Sequence, residues 1–567
     1  MTGIGRPTRV LAELSHGSHA LVDNNPEAEK SLQEPGTDSA LSRVVNESVS
    51  TAEHVGTTSF GYLFAPLSAM FPHEHLPSST PEETRTTVDA LNALGDAMVD
   101  HENSPVADST IPPVYTYWGQ FVDHDITANT DRDTSIDITG DPLVPIAPRE
   151  VLRRLENLRS PALNLDSVYG DGPFVDRVSP NDEAVPYDGI TLRLGEIQLI
   201  PDVVPPADDL ARDLPRRGEG PDPETRRTPQ IGDGRNDENL VVAQLHVAFL
   251  RFHNAAVDWV RANEPHWGSE VEVFLRARDL TRWAYQWLTV HDYLPTVTAA
   301  GTVDTVLTDD VDLLALQSDT VYMPLEFSVA AFRFGHSMVR AAYDWNAFFG
   351  RDGDPGPAPA TFEQLFQFTG RGGFAGPLER LPSNWPADWN RLVHKNDPDT
   401  ARFARKIDTH LALPLSTLRN EGTIGDPELP VNKLLKQLAR RNLLRGFRLA
   451  LPTGQAVAQA LEVPALTRAD LENSSQPVRD ALAAGGFLDR TPLWFYILKE
   501  AEVQRDGQSL GAVGSTIVAA TLIGQLRADR RSYLNQTGWS PAQGVRLPDG
   551  SPVRSIVDFL RFAGVLT

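Results

Sequence analysis

Residues 238–263 have the sequence ENLVVAQLHVAFLRFHNAAVDWVRAN, and this stretch decides the fold class. Apolar side chains occupy most of the circumference of an α-helix with this sequence, which is typical of a helix buried on all sides. Strand signals are few and short, the clearest being ITLRLG near Ile190. We therefore expect a mainly α fold. Further helical patterns lie at 81–100, 111–126, 273–294, 324–343, 433–447 and 515–534.

The chain of 567 residues has no internal repeat and no linker that would divide it into self-sufficient halves. Residues 1–55 are polar without a sustained period, which predicts a flexible N-terminal arm. Residues 56–567 are expected to form one large helical domain. Two long segments, 200–237 and 351–386, are rich in proline or glycine, and loops of this length often border a functional site. We expect the first of them to shape substrate access.

Composition excludes several classes of function. Lys and Arg number 51 against 76 Asp and Glu, a net charge of −25, so nucleic acid and anionic membranes are poor partners. Cysteine is absent, which rules out disulfides, thiolate metal sites and a cysteine nucleophile. The N-terminus has no apolar core of the signal-peptide type. We expect a soluble protein without a membrane span, and its compartment, cytoplasmic or exported without a cleaved signal, stays open.

The densest polar cluster in an apolar context is WGQFVDHDIT at 118–127. On a helix, Gln120, Asp123 and His124 share one face, and Asp125 points about a quarter turn away. One interpretation is an acidic helix end that faces solvent. The alternative is a pocket, because large apolar residues surround the triplet and charges buried among them need a ligand or a partner.

A second cluster, GDGRNDENLVVAQLH, spans 232–246 at the entry of the apolar helix. Asp237 and Glu238 suit a helix N-terminus, where the helix dipole favours negative charge. Arg235 does not suit it unless an anionic group lies opposite.

Four more polar residues lie within apolar helical patterns. His246 and His253 are seven residues apart, and we interpret both as packing or hydrogen-bonding side chains rather than metal ligands. His336 follows Gly335, and a glycine there would let a bulky flat group approach the backbone. Asn442 lies in a basic helical stretch, where a surface position is the simplest interpretation.

Taken together, these clusters resemble the animal-type haem peroxidase family, also called the peroxidase–cyclooxygenase superfamily, in a bacterial-like form. His124, Arg235, His336 and Asn442 follow in the family's order at roughly hundred-residue spacing. The similar blocks are WGQFVDHD, SPALNLDSVYG (160–170), GDGRNDENLVVAQLHVAFLRFHN, RFGHSMV, ARRNLLRGFRLALPTGQ and LKEAEVQRDGQSLGAVGSTIVA.

The resemblance implies a haem b cofactor. His336 would be the proximal ligand of the haem iron, and Asn442 would accept a hydrogen bond from the other nitrogen of that ring. His124 would be the distal general base, with Arg235 and Gln120 beside it.

Two acids complete the implied haem site. Asp123 and Glu238 match the carboxylates that the family esterifies to haem methyl groups. An ester carries no charge, which would account for two acids in an apolar pocket. Asn239 follows Glu238, so the methionine sulfonium link of some members is impossible here.

The resemblance also implies a calcium site. Asp125 would supply a carboxylate, with the side chains of Ser160, Asn164 and Asp166 and the carbonyl of Ala162. Such hard oxygen ligands suit Ca²⁺. Compared with the family's calcium loop, this chain has Asn164 where an Asp is expected and Asp166 where a Ser is common. The two exchanges leave the number of carboxylates in the loop unchanged.

The expected function is reduction of hydrogen peroxide to water with oxidation of small organic donors or halides. One alternative is a fatty-acid dioxygenase of the same superfamily, which would need a Tyr three residues before His336, where this chain has Arg333. Another is a non-catalytic interaction protein on the same scaffold, but retention of His124, Arg235 and His336 together argues against it. The oligomeric state and the physiological donor stay open.

Overall fold

A computed structural model describes residues 58–566 of the chain with several gaps. The gaps are 65–73, 102–103, 105, 129–137, 139–141, 171, 174–184, 202–209, 309–320, 351–357, 395–401 and 419–429. Before residue 58 it describes only strands β1 (Arg9–Leu14), β2 (Ser18–Asp23) and β3 (Arg43–Val44). Most of the predicted N-terminal arm therefore lies outside the described residues, and the boundary at residue 55 stays a prediction.

Helices dominate the described part of the chain, which confirms the predicted fold class. They are α1 (Pro81–Ala97), α2 (Pro113–Ile126), α3 (Pro148–Arg154), α4 (Asp166–Tyr169), α5 (Pro223–Arg227), α6 (Leu240–Asn263), α7 (Glu270–Leu288), α8 (Leu294–Val297), α9 (Thr302–Thr308), α10 (Phe362–Gln367), α11 (Asn390–Val393), α12 (Pro430–Leu435), α13 (Leu438–Arg448), α14 (Gly454–Ala460), α15 (Arg468–Glu472), α16 (Gln476–Ala484), α17 (Leu493–Arg505), α18 (Ala512–Ala528) and α19 (Ile556–Phe562). Short 3-10 helices cover Gly234–Asp237, Ala331–His336, Gly373–Ala375, Leu413–Ser416, Tyr533–Asn535 and Pro541–Gln543.

The strands are short and form small sheets of two or three strands. The strands after β3 are β4 (Thr58–Gly61), β5 (Glu156–Asn157), β6 (Tyr187–Asp188), β7 (Thr191–Leu192), β8 (Met323–Pro324), β9 (Ala342–Tyr343) and β10 (Ala360–Thr361). In the sheet β5-β4-β8, β4 runs antiparallel to β5 and parallel to β8. The other sheets are β2-β1-β3, β10-β9 and β6-β7. The strand signal near Ile190 corresponds to the β6-β7 hairpin.

The predicted buried helix, α6, lies at the centre of the core. It begins at a capping residue, Asn239, whose side chain accepts a hydrogen bond from Val242 N at 3.0 Å. Phe249 on α6 stacks on Phe121 of α2, with ring centroids 4.3 Å apart. Trp118, Tyr285 and Phe559, from α2, α7 and α19, pack around the same ring. Each large apolar side chain buried in this way contributes about 1.5–3 kcal/mol.

Of the described helices, only α6 is long and apolar enough to cross a membrane by length and composition. However, 83% of its most apolar stretch is buried inside the fold. Its apolar character is thus explained by its burial inside the fold.

The helix predicted over 324–343 is broken. The structure has a π-helix over Glu326–Ala330, then the 3-10 helix Ala331–His336, and strand β9 further on. The break falls at Ala330, whose φ of −123° and ψ of −70° are not helical. Two side-chain contacts hold this geometry: Arg333 Nε donates to Ser328 O at 2.7 Å, and the Glu326 carboxylate accepts from Leu63 N at 2.9 Å.

One other predicted helix is interrupted, and another changes its helix type without leaving helical backbone angles. The pattern at 433–447 covers the end of α12 and the start of α13, which are separate helices. The pattern at 273–294 passes from α7 into a π-helix at Thr289–Tyr293 before α8. Apolar periodicity continues through each interruption because the same side stays buried, so the sequence pattern does not reveal the break.

Candidate active site

Helix α2 carries the first predicted cluster deep into the core. It begins with prolines, which need no hydrogen-bond partner for their nitrogen at this position. Gly119 allows close packing, because a Cβ there would lie 2.4 Å from Tyr293 Oη. His124 and Asp125 are 5% and 0% exposed, so the interpretation of the cluster as a solvent-facing helix end is wrong.

Arg235 finds its anionic partner in Asp233, a residue that the sequence analysis did not single out. Arg235 Nη2 lies 2.7 Å from Asp233 Oδ2 and donates to the backbone oxygen of His124 at 2.9 Å. Arg159 also pairs with Asp233. Burial alone would raise the pKa of Asp233, but Arg159 and Arg235 together hold it well below its usual range. Asp233 therefore fixes Arg235 beside His124.

The imidazole of His124 is held by Asn236. Its Nδ1 lies 2.8 Å from Asn236 Oδ1, and Asn236 itself is fully buried. Burial, and then the positive charge of Arg235, lower the pKa of His124 below its ordinary value. The ring is therefore neutral at pH 7 and can accept a proton.

The remaining residues of the α2 face also have partners. Gln120 Oε1 accepts from Asn239 Nδ2 at 3.1 Å. Asp123 Oδ2 lies 3.3 Å from Arg333 Nη1, so the segment before His336 meets the segment before His124 at this ion pair. The other oxygen of Asp123, Oδ1, is buried and has no hydrogen-bond partner among the described residues. Burial lowers the pKa of Arg235, but the negative charges of Asp233, Asp123 and Glu238, in decreasing order of effect, raise it above its ordinary value.

His336 ends its 3-10 helix, and its Nδ1 lies 2.9 Å from Nδ2 of Asn442. Asn442 is 4% exposed, so its simplest interpretation, as a surface residue, is wrong. The family resemblance implies that Asn442 accepts a hydrogen bond from His336, whereas in the structure the amide nitrogen of Asn442 faces the ring. That nitrogen can donate to His336 Nδ1 when Nδ1 is the unprotonated nitrogen of the neutral imidazole. The ring of Trp494 packs edge-on to His336, 6.4 Å between centroids. A Cβ at Gly335 would meet nothing within 4 Å, so space is open beside His336.

The predicted calcium residues lie together, but the described residues contain no group of three or more His, Cys, Asp or Glu that could hold a metal ion. Asp125 accepts from Leu165 N and Ser167 Oγ, both at 3.1 Å. Burial, and then the charge of Asp166, raise the pKa of Asp125 to about 6. Asp166 Oδ2 is buried and has no hydrogen-bond partner among the described residues.

Two other expected calcium ligands make contacts within the protein. Asn164 Oδ1 accepts from Asp166 N at 3.2 Å, and the carbonyl of Ala162 accepts from Gln286 Nε2 at 3.4 Å. The backbone of Ser160 accepts from Ala162 N at 2.9 Å, which closes the loop.

The structure thus adds three residues to the site: Asp233, Asn236 and Arg333. The sequence did contain a signal for Asp233, because it lies two residues before Arg235, for which the sequence analysis required an anionic partner. Asn236 and Arg333 contact His124 and Asp123 across 112 and 210 positions of the chain, which no local pattern reveals.

Residues 199–360 match the family model described as animal haem peroxidase. This span contains Arg235, Glu238 and His336. Over this span the chain is similar to the animal haem peroxidases. It is 28% identical over 272 residues to a peroxidase-like protein of Margaritifera margaritifera, covering 41% of this chain and 32% of that one. It is 32% identical over 119 residues to thyroid peroxidase of Mus musculus, covering 21% of this chain and 13% of that one. The chain thus spans a third or less of these relatives.

Solved structures of the superfamily share the fold. Peroxidase A from Dictyostelium discoideum superimposes with a TM-score of 0.53 at 16% identity, over 84% of this chain and 89% of that one. A fatty acid alpha-dioxygenase of Oryza sativa gives 0.52 at 14% identity, over 84% and 76%. These values establish the haem peroxidase fold, and they do not separate the two activities.

Replacing Asp233 with asparagine should destabilise the fold strongly. The change leaves the buried charges of Arg235 and Arg159 without their carboxylate, and breaking a buried ion pair from one side costs about 3–5 kcal/mol. Urea unfolding followed by circular dichroism measures the loss. The matched control is Asp188→Asn, which breaks the exposed pair with Arg193 and should cost less than about 1 kcal/mol. Equal losses for the two variants would contradict the buried role of Asp233.

Proposed function

We propose that this chain is a haem-dependent peroxidase that reduces hydrogen peroxide to water and oxidises small organic donors or halides. One observation carries the proposal: His124 is buried, neutral and hydrogen-bonded through Nδ1, with the guanidinium of Arg235 fixed next to it. That pair is suited to move a proton and to stabilise negative charge. Because the chain spans only part of its curated relatives, the activity is proposed from its own residues.

Three observations support a haem at this site. The first is the open space beside His336 at Gly335. The second is the buried Asp123 Oδ1 without a hydrogen-bond partner among the described residues. The third is the contact of Asn442 with the Nδ1 side of His336, which leaves Nε2 as the candidate iron ligand. Turning the Asn442 amide would let its oxygen accept from Nδ1–H and strengthen the ligand.

Haem b, when bound, supplies the iron and the porphyrin that hold the oxidising equivalents taken from peroxide. His124 takes a proton from one peroxide oxygen and gives it to the other, so that water can leave. The Nδ1 contact with Asn236 leaves the Nε2 atom of His124 for this transfer. A neutral ring is required, and burial together with Arg235 provides it.

Arg235 stabilises the negative charge that develops as the O–O bond breaks. Its guanidinium is held by Asp233 and so needs no reorganisation when the charge appears. Gln120 lies on the same helix face as His124, and its oxygen is engaged by Asn239, which leaves its amide nitrogen as a donor toward the site.

Asp123 and Glu238 are proposed to form ester bonds with the haem. Both influence the electrostatics of His124 and Arg235, so both lie at the same pocket. Each ester would replace one C–H bond of a haem methyl group with a C–O bond to the carboxylate, a two-electron oxidation for which hydrogen peroxide is the oxidant. The ester would carry no charge, and Asp123 Oδ1, which has no hydrogen-bond partner among the described residues, is the candidate oxygen on that residue.

A calcium ion is proposed between Asp125 and Asp166. Burial raises the pKa of both carboxyl groups, and the charge of Asp166 raises the pKa of Asp125 further; a divalent cation would compensate both charges. The unpartnered Oδ2 of Asp166 and the oxygens of the loop 160–166 supply hard ligands. Binding requires Asn164 and the Ala162 carbonyl to exchange their present partners for the ion.

His124→Ala should abolish most peroxide reactivity while haem binding is retained. Loss of the general base predicts a decrease of roughly two to four orders of magnitude in the peroxide step. Stopped-flow absorbance after addition of H₂O₂ measures the rate, and an unchanged Soret band shows that the haem is still bound. His336→Ala serves as the comparison and should lose the Soret band. Normal turnover by His124→Ala would remove this residue from the mechanism.

Covalent attachment is tested after treatment of the holoprotein with peroxide. Denaturation in acidified organic solvent should leave haem on the wild-type polypeptide, because an ester survives unfolding. The double variant Asp123→Asn, Glu238→Gln should release it, as amides cannot form these esters. Mass spectrometry of the polypeptide gives the readout. Free extraction of haem from the wild type would contradict the ester proposal and leave the peroxidase proposal standing.

Removal of calcium should destabilise the wild-type protein. A ligand present at 100 times its Kd contributes about 2.7 kcal/mol. Addition of a calcium chelator should therefore lower the unfolding temperature of the wild type, and Asp125→Asn should make the protein insensitive to the chelator. Elemental analysis should find calcium in the wild type alone. A wild type without bound calcium, and without a response to the chelator, would exclude the site.

A further inference from the structure

A chain of hydrogen bonds runs from His124 into the core. Asn236 uses both ends of its amide: Oδ1 lies 2.8 Å from His124 Nδ1, and Nδ2 lies 2.9 Å from His246 Nδ1. Asn236 and His246 are each 0% exposed. His246 is therefore joined to the distal histidine through a single buried side chain.

The direction of the Asn236 amide decides which nitrogen of His124 carries the proton. An amide oxygen accepts a hydrogen bond and an amide nitrogen donates one. With the oxygen toward His124, Nδ1 must be protonated, and Nε2 keeps the lone pair that a general base needs. The reversed amide would donate to Nδ1 and place the proton on Nε2, where it would block proton uptake.

His246 is the group that can fix this direction. In the tautomer with an unprotonated Nδ1, His246 accepts from Asn236 Nδ2 at 2.9 Å and holds the amide oxygen toward His124. Burial lowers the pKa of His246 to about 3, so the ring is neutral near pH 7 and keeps one unprotonated nitrogen. The ring of Phe121 packs edge-on to it, 6.1 Å between centroids, and restrains its orientation.

The polarity of His246 serves nothing else among the described residues. Its second nitrogen, Nε2, is buried and has no hydrogen-bond partner there. A buried polar atom without a partner is unfavourable, and an apolar side chain would avoid it. His253, two turns along α6, differs in this respect: its Nδ1 contacts Tyr169 Oη at 3.0 Å and its Nε2 contacts Ile190 O at 3.1 Å.

We propose that His246 is a positioning residue that acts through Asn236 to hold His124 in the tautomer with an unprotonated Nε2. The proposal rests on the proposed function, because only a proton-accepting His124 makes use of this tautomer. It makes the sequence-based interpretation of His246, as a packing or hydrogen-bonding side chain, more specific: the residue becomes a second support of the proposed catalytic base.

The test compares His246→Leu with His246→Gln in the haem-loaded protein. Glutamine keeps an oxygen that can accept from Asn236 Nδ2, and leucine does not. Histidine tautomers are measured by long-range ¹H–¹⁵N correlation on ¹⁵N-histidine-labelled protein in its diamagnetic ferrous carbon monoxide form. In the wild type, His124 should carry its proton on Nδ1 and His246 on Nε2.

In His246→Leu, His124 should shift toward the Nε2-protonated tautomer. The peroxide step should slow by about 10- to 100-fold, the usual effect of losing a support of this kind. His246→Gln should restore both the tautomer and most of the rate. Asn236→Ala, which removes the bridge and leaves His246 in place, should give the same tautomer change as His246→Leu.

The matched control is His253→Leu, which removes an equally buried imidazole from the same helix without touching Asn236. It should leave the His124 tautomer unchanged. If His124 keeps its Nδ1 proton in both His246→Leu and Asn236→Ala, the proposal is wrong. If His246→Leu and His253→Leu slow the peroxide step equally, His246 has a purely structural role and the proposal is also wrong. Failure of the proposed function can be distinguished from failure of this inference, because the wild type itself would then bind no haem or would not react with peroxide. In that case the proposed role of His246 would be wrong as well.

Discussion

The structure depends on one constraint: the first part of α6, Leu240–Leu250, is buried on every side, so each polar group at its entrance must find its partner inside the protein. The entrance turn, residues 233–239, meets this demand with four side chains, three of which contact helix α2. Asp233 fixes Arg235, Asn236 holds His124, and Asn239 both caps α6 and engages Gln120. The same hydrogen bonds that make the turn compatible with the core therefore assemble the candidate site. The stability of this turn and the geometry of the candidate site therefore depend on the same residues.

A similar demand ties the loop 200–237 to the body of the fold. Arg216 is almost fully buried and pairs with Asp213 and Asp237, and the second of these also accepts from Gly370 N. Asp237 therefore serves an ion pair rather than the helix dipole that its position suggested. The described part of the loop is anchored at its C-terminal side to the second glycine-rich segment. Its role in substrate access stays a prediction.

Sequence patterns predicted the helices well and their interruptions poorly. The period of apolar residues located α1, α2 and α6 closely, because burial on one or all sides determines both pattern and helix. The same period continues through the break at Ala330, where side chains of distant residues decide the local geometry. For the site, motif order brought His124 and Arg235 together as expected. Asn236 could not be assigned in the same way, since its role depends on two histidines that lie on different helices.

Arg333 bears on the choice between peroxidase and dioxygenase chemistry. The fold is equally close to both kinds of enzyme, so the decision depends on single side chains. A dioxygenase of this superfamily needs a radical-forming tyrosine three residues before the proximal histidine. The chain has a guanidinium there, held by Ser328 O and paired with Asp123 of the distal helix. An arginine cannot form such a radical, and its ion pair joins the two histidine segments at that point. The side chain at this position therefore takes part in an ion pair, and the tyrosine that the dioxygenase alternative requires is absent from it.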